Sequence, residues 1–297
     1  MSLSLGVIGM SSGNGHPYSW SAIMNGFDSF HMKNSEFPII YEYLSKQLYP
    51  EDFIKDAKVT HIWTQDINLS KKISYASRIA NVCHGLDDMI GAVDAILLAR
   101  DDYENHFFFA KKFLENGIPI YIDKPIANSV NQARYIYSKQ KFKGQIFTCS
   151  ALRYSEELLL KKVDRKNIGK LKSIEAVVPK SWDKYSIHVI DPIIESVGYQ
   201  GEVLSYNLET CGASTVLNFL WESGVKVKIT ATGNDSDPIK ISYLGHKNKI
   251  NYTFKDAFQP FKSALQNFIK IVKDQSYIDD IGRNLEVVKI IELGNPK

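Results

Sequence analysis

Asp123-Lys124-Pro125 follows a short apolar run over residues 118–122. Open α/β sheets bind ligands beyond the carboxyl ends of their strands. A lysine there can hydrogen-bond a substrate hydroxyl with its ammonium and move its proton. For an isolated Lys-Pro, a surface lysine before a turn is the plainer reading. A second chemical feature is the turn holding Gly9, Ser11, Gly13, Asn14 and Gly15, directly after the apolar run 3–8. Backbone N–H groups in such a turn, with a helix start behind them, suit the linked phosphates of a dinucleotide. Counted from Gly9, Ser11 and Asn14 stand where a G-x-G-x-x-G fingerprint has its second and third glycines, so a tight turn without ligand is about as good a reading of the motif alone. Asp66 closes the next apolar run. A carboxylate there can accept from both ribose hydroxyls and repels a 2′-phosphate, favouring NAD over NADP, although a helix-start aspartate is a common role too. Lastly, His188 and Asp191 lie three residues apart. They suit acid–base work, a structural histidine or two ligands of a metal; no third ligand follows at suitable spacing, so no metal is expected.

Around these residues the chain alternates apolar runs with helical patterns. Strands are expected at 3–8, 59–64, 92–98 and 118–122. Helices are expected from Ser19 to Asn25, over 69–79 with Asn68 as N-cap, over 103–116 with Gly117 as stop, and over 130–140. Nearly all-apolar strands separated by helices imply a parallel sheet covered on both faces. Residues 27–58 form an insertion with one helix near 39–48. From residue 171 the pattern changes to six closely spaced strands, at 171–178, 202–209, 214–221, 225–232, 240–244 and 249–254. Connections this short make the sheet mainly antiparallel. Helices at 260–273 and 283–293 close the chain. The expected fold class is α/β: a Rossmann domain over 1–125, then an α+β domain over 126–297 with a large open sheet.

With 297 residues, 44% hydrophobic and 23% charged, the chain can build a packed core. A net charge of +3 without a long basic run gives nucleic-acid binding little support. Cys83, Cys149 and Cys211 are far apart and form no CxxC pair, so free thiols in a reducing compartment are expected. No targeting segment and no apolar run of about 18 residues is visible, which points to the cytoplasm and away from a membrane. No G-x-S-x-G or Cys–His signature supports a hydrolase.

The ordered set of motifs resembles the glucose–fructose oxidoreductase/inositol dehydrogenase family, Gfo/Idh/MocA. It comprises Gly-Val-Ile-Gly at 6–9, the apolar 93–99 run ending in Ala99, His106, Asn116 through Ala127 with Asp-Lys-Pro for the family's Glu-Lys-Pro, Leu152-Arg153-Tyr154, and His188-x-x-Asp191. The resemblance covers nearly the whole chain. It implies a nicotinamide-dependent oxidoreductase, using NAD or alternatively NADP, that acts on a sugar, cyclitol or nucleotide-sugar carbinol, and a homodimer or homotetramer. By the same analogy Lys124 and His188 are catalytic. Gly9, Ser11, Gly13, Asn14, Gly15, Asp66, Ala99, Arg100, His106 and Asp123 would hold the cofactor. Arg153, Lys184 and Asp191 would bind substrate.

Departures from the family pattern leave other readings open. The altered turn continues as His16-Pro17-Tyr18-Ser19-Trp20, where His16 and Trp20 either line the cleft or pack the turn. Arg100-Asp101-Asp102 replaces a Thr-Pro-Asn-like loop and puts two carboxylates near a diphosphate unless Arg100 offsets them. Lys184 stands where many members have aspartate, which alters the proton relay or selects an acidic sugar. A dinucleotide-binding regulator or partner protein, and an enzyme cycling a tightly held NAD, are the alternatives.

Overall fold

The computed structural model describes residues 2–274 and 280–295 and divides into two compact units. The first comprises residues 1–127, 134–148 and 256–280; the second comprises 128–133, 149–255 and 281–297. The main segment of the first unit ends two residues past the expected boundary at 125. The segments 134–148 and 256–280 also pack with it.

The first unit is built on six parallel strands: β1 Leu3–Ile8, β2 Ala57–Trp63, β3 Asn81–Val82, β4 Ala95–Leu98, β5 Ile120–Ile122 and β6 Ile146–Phe147. Their order, β3-β2-β1-β4-β5-β6, reverses direction between β1 and β4, the switch point where α/β sheets open a ligand crevice. β4 and β5 are buried along their whole length because helices cover both faces. The two-residue strands β3 and β6 complete the edges; β3 was not expected, and the strand ahead of Leu152 was.

Several local expectations change. The first helix, His16–Asn25, starts three residues before Ser19: Asn14 Oδ1 accepts from the His16 N–H, and Pro17 needs no partner in a first turn. The helix after β2 is Ile67–Ser77, and its N-cap is Asp66, not Asn68; the Asp66 carboxylate accepts from the Asn68 N–H at 2.8 Å. That helix stops at Arg78, whose φ of 52° is left-handed. The insertion holds two helices, Ser29–Lys33 capped by Asp28 and Pro38–Leu44, instead of one.

The second unit carries a mixed sheet of β7 Leu171–Val178, β8 Val203–Cys211, β9 Ser214–Trp221, β10 Lys226–Ala231, β11 Lys240–Gly245 and β12 Lys249–Thr253, in the order β12-β11-β7-β10-β9-β8. Only the β7–β10 pairing is parallel, so the sheet is mainly antiparallel as expected. β9 alternates, with Leu217, Phe219 and Trp221 buried on one face. That face meets Ile190, Ile193 and Ile291 from the helices Ile187–Val197 and Ile281–Leu293 in one core. Each large apolar side chain buried there contributes roughly 1.5–3 kcal/mol. Cys83 and Cys149 are buried, Cys211 is exposed, and all three are free thiols. No helix among the described residues is long and apolar enough to cross a membrane.

Candidate functional site

The turn after β1 brings its side chains onto two aspartates from neighbouring strand ends. Ser11 Oγ donates to Asp101 Oδ1 at 2.6 Å and accepts from the Asp101 N–H at 3.1 Å. Asn14 Nδ2 donates to Asp123 Oδ2 at 2.8 Å, and His16 Nδ1 meets the same oxygen at 2.6 Å. The Lys124 N–H donates to Asp123 Oδ1 at 2.7 Å. Asp123 is wholly buried. Burial alone would raise its carboxyl, but the charge and hydrogen bond of His16, with Lys124 and Asn14, outweigh it and bring it down to about 2. Lys124 is 5% exposed, and its Nζ lies 4.0 Å from Asp101 Oδ2.

Glycines set how closely the chain segments approach. A Cβ at Gly9 would stand 2.6 Å from Pro17 Cγ, so that position lets the first helix close onto β1. A Cβ at Gly15 would stand 2.7 Å from Ile40 Cδ1 and 2.9 Å from Phe37 Cγ, both from the insertion. Gly13 has a φ of +78° and nothing within 4 Å of where a Cβ would be. Among the described residues, none accepts a hydrogen bond from the N–H groups of Ser11, Ser12, Gly13 or Gly15. A turn with unpaired main-chain donors on an open side fits the diphosphate of a dinucleotide. Those N–H groups would hold it, while the side chains of Ser11 and Asn14 are engaged elsewhere.

The loop after β4 resolves its own charge. Arg100 donates to both carboxylate oxygens of Asp102, at 2.9 and 2.6 Å, and to Gln65 Oε1 at 3.0 Å. Its guanidinium lies 4.4 Å from the centroid of the Phe109 ring. Gln65 in turn holds Met10 through both its N–H and its carbonyl. The two carboxylates of this loop are therefore already engaged, one with Arg100 and one with Ser11 and Lys124. Ala99 is fully buried, and its N–H donates to Ile8 O in the sheet.

Two residues expected to touch the cofactor are buried and hydrogen-bonded within the protein. His106 is 0% exposed, and its ring nitrogens face Arg100 O at 2.7 Å and Ile126 O at 3.1 Å. It braces the loop after β4 against the one after β5. Asp123 is likewise closed off by His16, Asn14 and Lys124 and positions the turn. Asp66 is exposed; one of its oxygens caps the helix Ile67–Ser77, which leaves Oδ2 for a ribose.

In the second unit Arg153 and Asp191 form a buried ion pair of 2.8 Å, with side chains 2% and 1% exposed. Asp191 also accepts from the Ser150 N–H at 2.9 Å, and Arg153 donates to Asn284 Oδ1 at 2.6 Å. Both were expected to bind substrate; in the structure they also hold the helix Ile187–Val197. His188, on that helix, is half-buried, and Ser150 Oγ fixes its Nδ1 at 2.9 Å. Lys184 is half-buried on the short helix Trp182–Tyr185. Sequence reasoning missed Gln65, Ser150 and Asn284 entirely, since no local signal marks a residue whose role is a distant hydrogen bond. No group of three or more metal-ligating side chains occurs among the described residues.

Residues 5–150 match the family model described as an oxidoreductase family with an NAD-binding Rossmann fold. The chain is a member of the Gfo/Idh/MocA family. A search of curated proteins gave no match. The fold of this Gfo/Idh/MocA protein is shared with solved structures at low identity. Myo-inositol 2-dehydrogenase from Lactobacillus plantarum is 13% identical with a TM-score of 0.72, over 98% of this chain and 96% of that one. A probable dehydrogenase from Thermotoga maritima is 14% identical with a TM-score of 0.71, over 98% and 95%. UDP-N-acetylglucosamine 3-dehydrogenase from Acidithiobacillus ferrooxidans is 11% identical with a TM-score of 0.69, over 99% and 97%. Family membership makes residues 5–150 an NAD-binding Rossmann fold.

Proposed function

We propose that this protein is an NAD-dependent dehydrogenase or reductase acting on a ring carbinol of a sugar, cyclitol or nucleotide sugar. The observation that carries the reading is Lys124. It is buried at the carboxyl end of β5, faces Asp101, and belongs to the same hydrogen-bonded cluster as the turn that offers free main-chain donors. Bound NAD would supply the hydride chemistry. Lys124 would hydrogen-bond the substrate hydroxyl and exchange its proton, with Asp101 keeping the ammonium in place. Several solved structures that share the fold carry the names of inositol and UDP-sugar dehydrogenases, in line with this substrate class.

From the second unit, His188 is proposed to orient the substrate or relay its proton, with its ring set by Ser150. Lys184 would favour a substrate bearing a carboxylate or phosphate. The face of the β7–β12 sheet turned away from its helices, where Tyr206 is 49% exposed, is proposed as the contact of a homodimer or homotetramer.

The test is Lys124→Met, assayed on a panel of inositols, neutral and acidic sugars and nucleotide sugars. The variant should lose turnover while its NADH binding, read by fluorescence transfer, stays near wild type. Full turnover in the variant would end the proposal.

A further inference from the structure

Lys180 stands in a backbone conformation that lysine does not favour. It follows β7 and has a φ of 56°, in the left-handed region. A side chain held there is a cost that persists only where the surroundings enforce it. The main chain is fixed from one neighbouring loop: Lys180 O accepts from the Gly233 N–H at 3.0 Å, and the Lys180 N–H donates to Asn234 O at 3.3 Å. Both bonds are made by the backbone, and glycine would make them without strain. The chain carries a long cation there instead, so it is the lysine side chain that needs an explanation.

That side chain lies over the next helix. Lys180 Nζ is 4.9 Å from the centroid of the Tyr185 ring. The Tyr185 ring in turn meets the His188 ring at 5.4 Å between centroids, with 67° between their planes. Lys180, Tyr185 and His188 thus form one half-buried row within the second unit, with Lys184 next to Tyr185 on the helix Trp182–Tyr185. Asp183 shares that helix, but adjacent helix positions do not face each other. An aromatic face holds an ammonium through its quadrupole and does not neutralise it. A lysine so held is a compact point charge suited to carboxylate or phosphate oxygens. His188, at the other end of the row, is the residue proposed above to orient the substrate or relay its proton.

We propose that Lys180 is a substrate-binding residue: its ammonium, with that of Lys184, recognises a carboxylate or phosphate on the molecule whose reacting end lies at His188. The substrate class narrows to acidic sugars and cyclitols, as uronates or phosphate esters. This rests on the sugar-dehydrogenase reading and adds to it the residue that selects the second end of the substrate. The strained lysine is then a position where recognition is kept against stability.

The test compares wild type, Lys180→Gly and Lys180→Arg with NAD on matched sets: glucose, glucuronate and glucose 6-phosphate; myo-inositol and its monophosphate; UDP-N-acetylglucosamine and its uronate. Wild type should turn over an acidic member with a lower KM than its neutral counterpart, and the glucose set shows which anion is read. In Lys180→Gly the KM for that acidic member should rise at least about tenfold while kcat changes little, because a binding contact is lost. Its Tm should not fall, since glycine accepts the left-handed φ. Lys180→Arg keeps the charge and should keep a KM near wild type. An unchanged KM in Lys180→Gly, with or without a lower Tm, would make the lysine structural and overturn the inference. Equal losses in Lys180→Arg and Lys180→Gly would do the same. Wild type that prefers the neutral members would overturn it too, even if Lys180→Gly folds poorly, and would leave the dehydrogenase reading intact. Wild type that binds NADH yet turns over no member would remove that reading, and this inference with it.

Discussion

Replacing Asp123 with asparagine tests whether its buried carboxylate is the clamp of the cofactor turn. The charged group accepts from Asn14 at 2.8 Å, His16 at 2.6 Å and the Lys124 N–H at 2.7 Å, with no exposure to solvent. In the folded protein its carboxyl is brought from 3.8 down to about 2. A depressed carboxyl contributes stability that is present above its unfolded value and lost as pH falls through the folded one. A shift of this size corresponds to about 2.5 kcal/mol at pH 7. At pH 3, midway through the titration, roughly 1.3 kcal/mol of it remains by the same linkage relation. The amide adds a cost of its own, since its NH₂ faces groups that donate, so the loss at neutral pH should be about 3–5 kcal/mol. Urea unfolding of wild type and Asp123→Asn, followed by tryptophan fluorescence at pH 7, 5 and 3, measures the difference. It should be similar at pH 7 and 5 and shrink by about 1 kcal/mol at pH 3. A difference that is small at pH 7, or that grows on acidification, would refute the clamp.

Arg153→Ala should destabilise the second unit by about 3 kcal/mol, because it leaves buried Asp191 with the Ser150 N–H and Arg283 at 3.6 Å, measured by denaturant unfolding. Gly9→Ala should cost about 1–3 kcal/mol because the added methyl meets the rigid Pro17 ring, and it should weaken NADH binding as the helix shifts. Gly13→Ala, in open space, should cost only its positive φ, about 1 kcal/mol, so a thermal-shift comparison separates the two causes. Asp66→Asn keeps a helix cap and should unfold like wild type yet lose preference for NAD over NADP; Asp66→Ala should lose about 1 kcal/mol as well.

The parts of the fold that could be read from the sequence are those whose signal is local. The largely apolar run of β1, the all-apolar β4 and the alternation of β9 mark their strands because burial on two faces or one leaves that pattern. The two-residue strands β3 and β6 leave none, since they exist only as additions to neighbours already in place. At the site, Lys124 and the turn were legible from their position after strands. The partners that give them shape were not. His16 and Asp123 are 107 residues apart, and Arg153 and Asn284 are 131 apart. The same distance explains why Arg153, Asp191 and His106 looked like ligand contacts. A polar residue within a family motif reads as available until its long-range partners are seen.

The commitment of Ser11 and Asn14 to the loops after β4 and β5 has a practical consequence for redesign. Randomising those two positions would select mainly for variants that still assemble the crevice, and affinity for a dinucleotide would change as a by-product. Preference between nicotinamide cofactors is better sought at the rim, around the free Oδ2 of Asp66, where a side chain can be exchanged without disturbing the hydrogen bonds that hold three strand ends together.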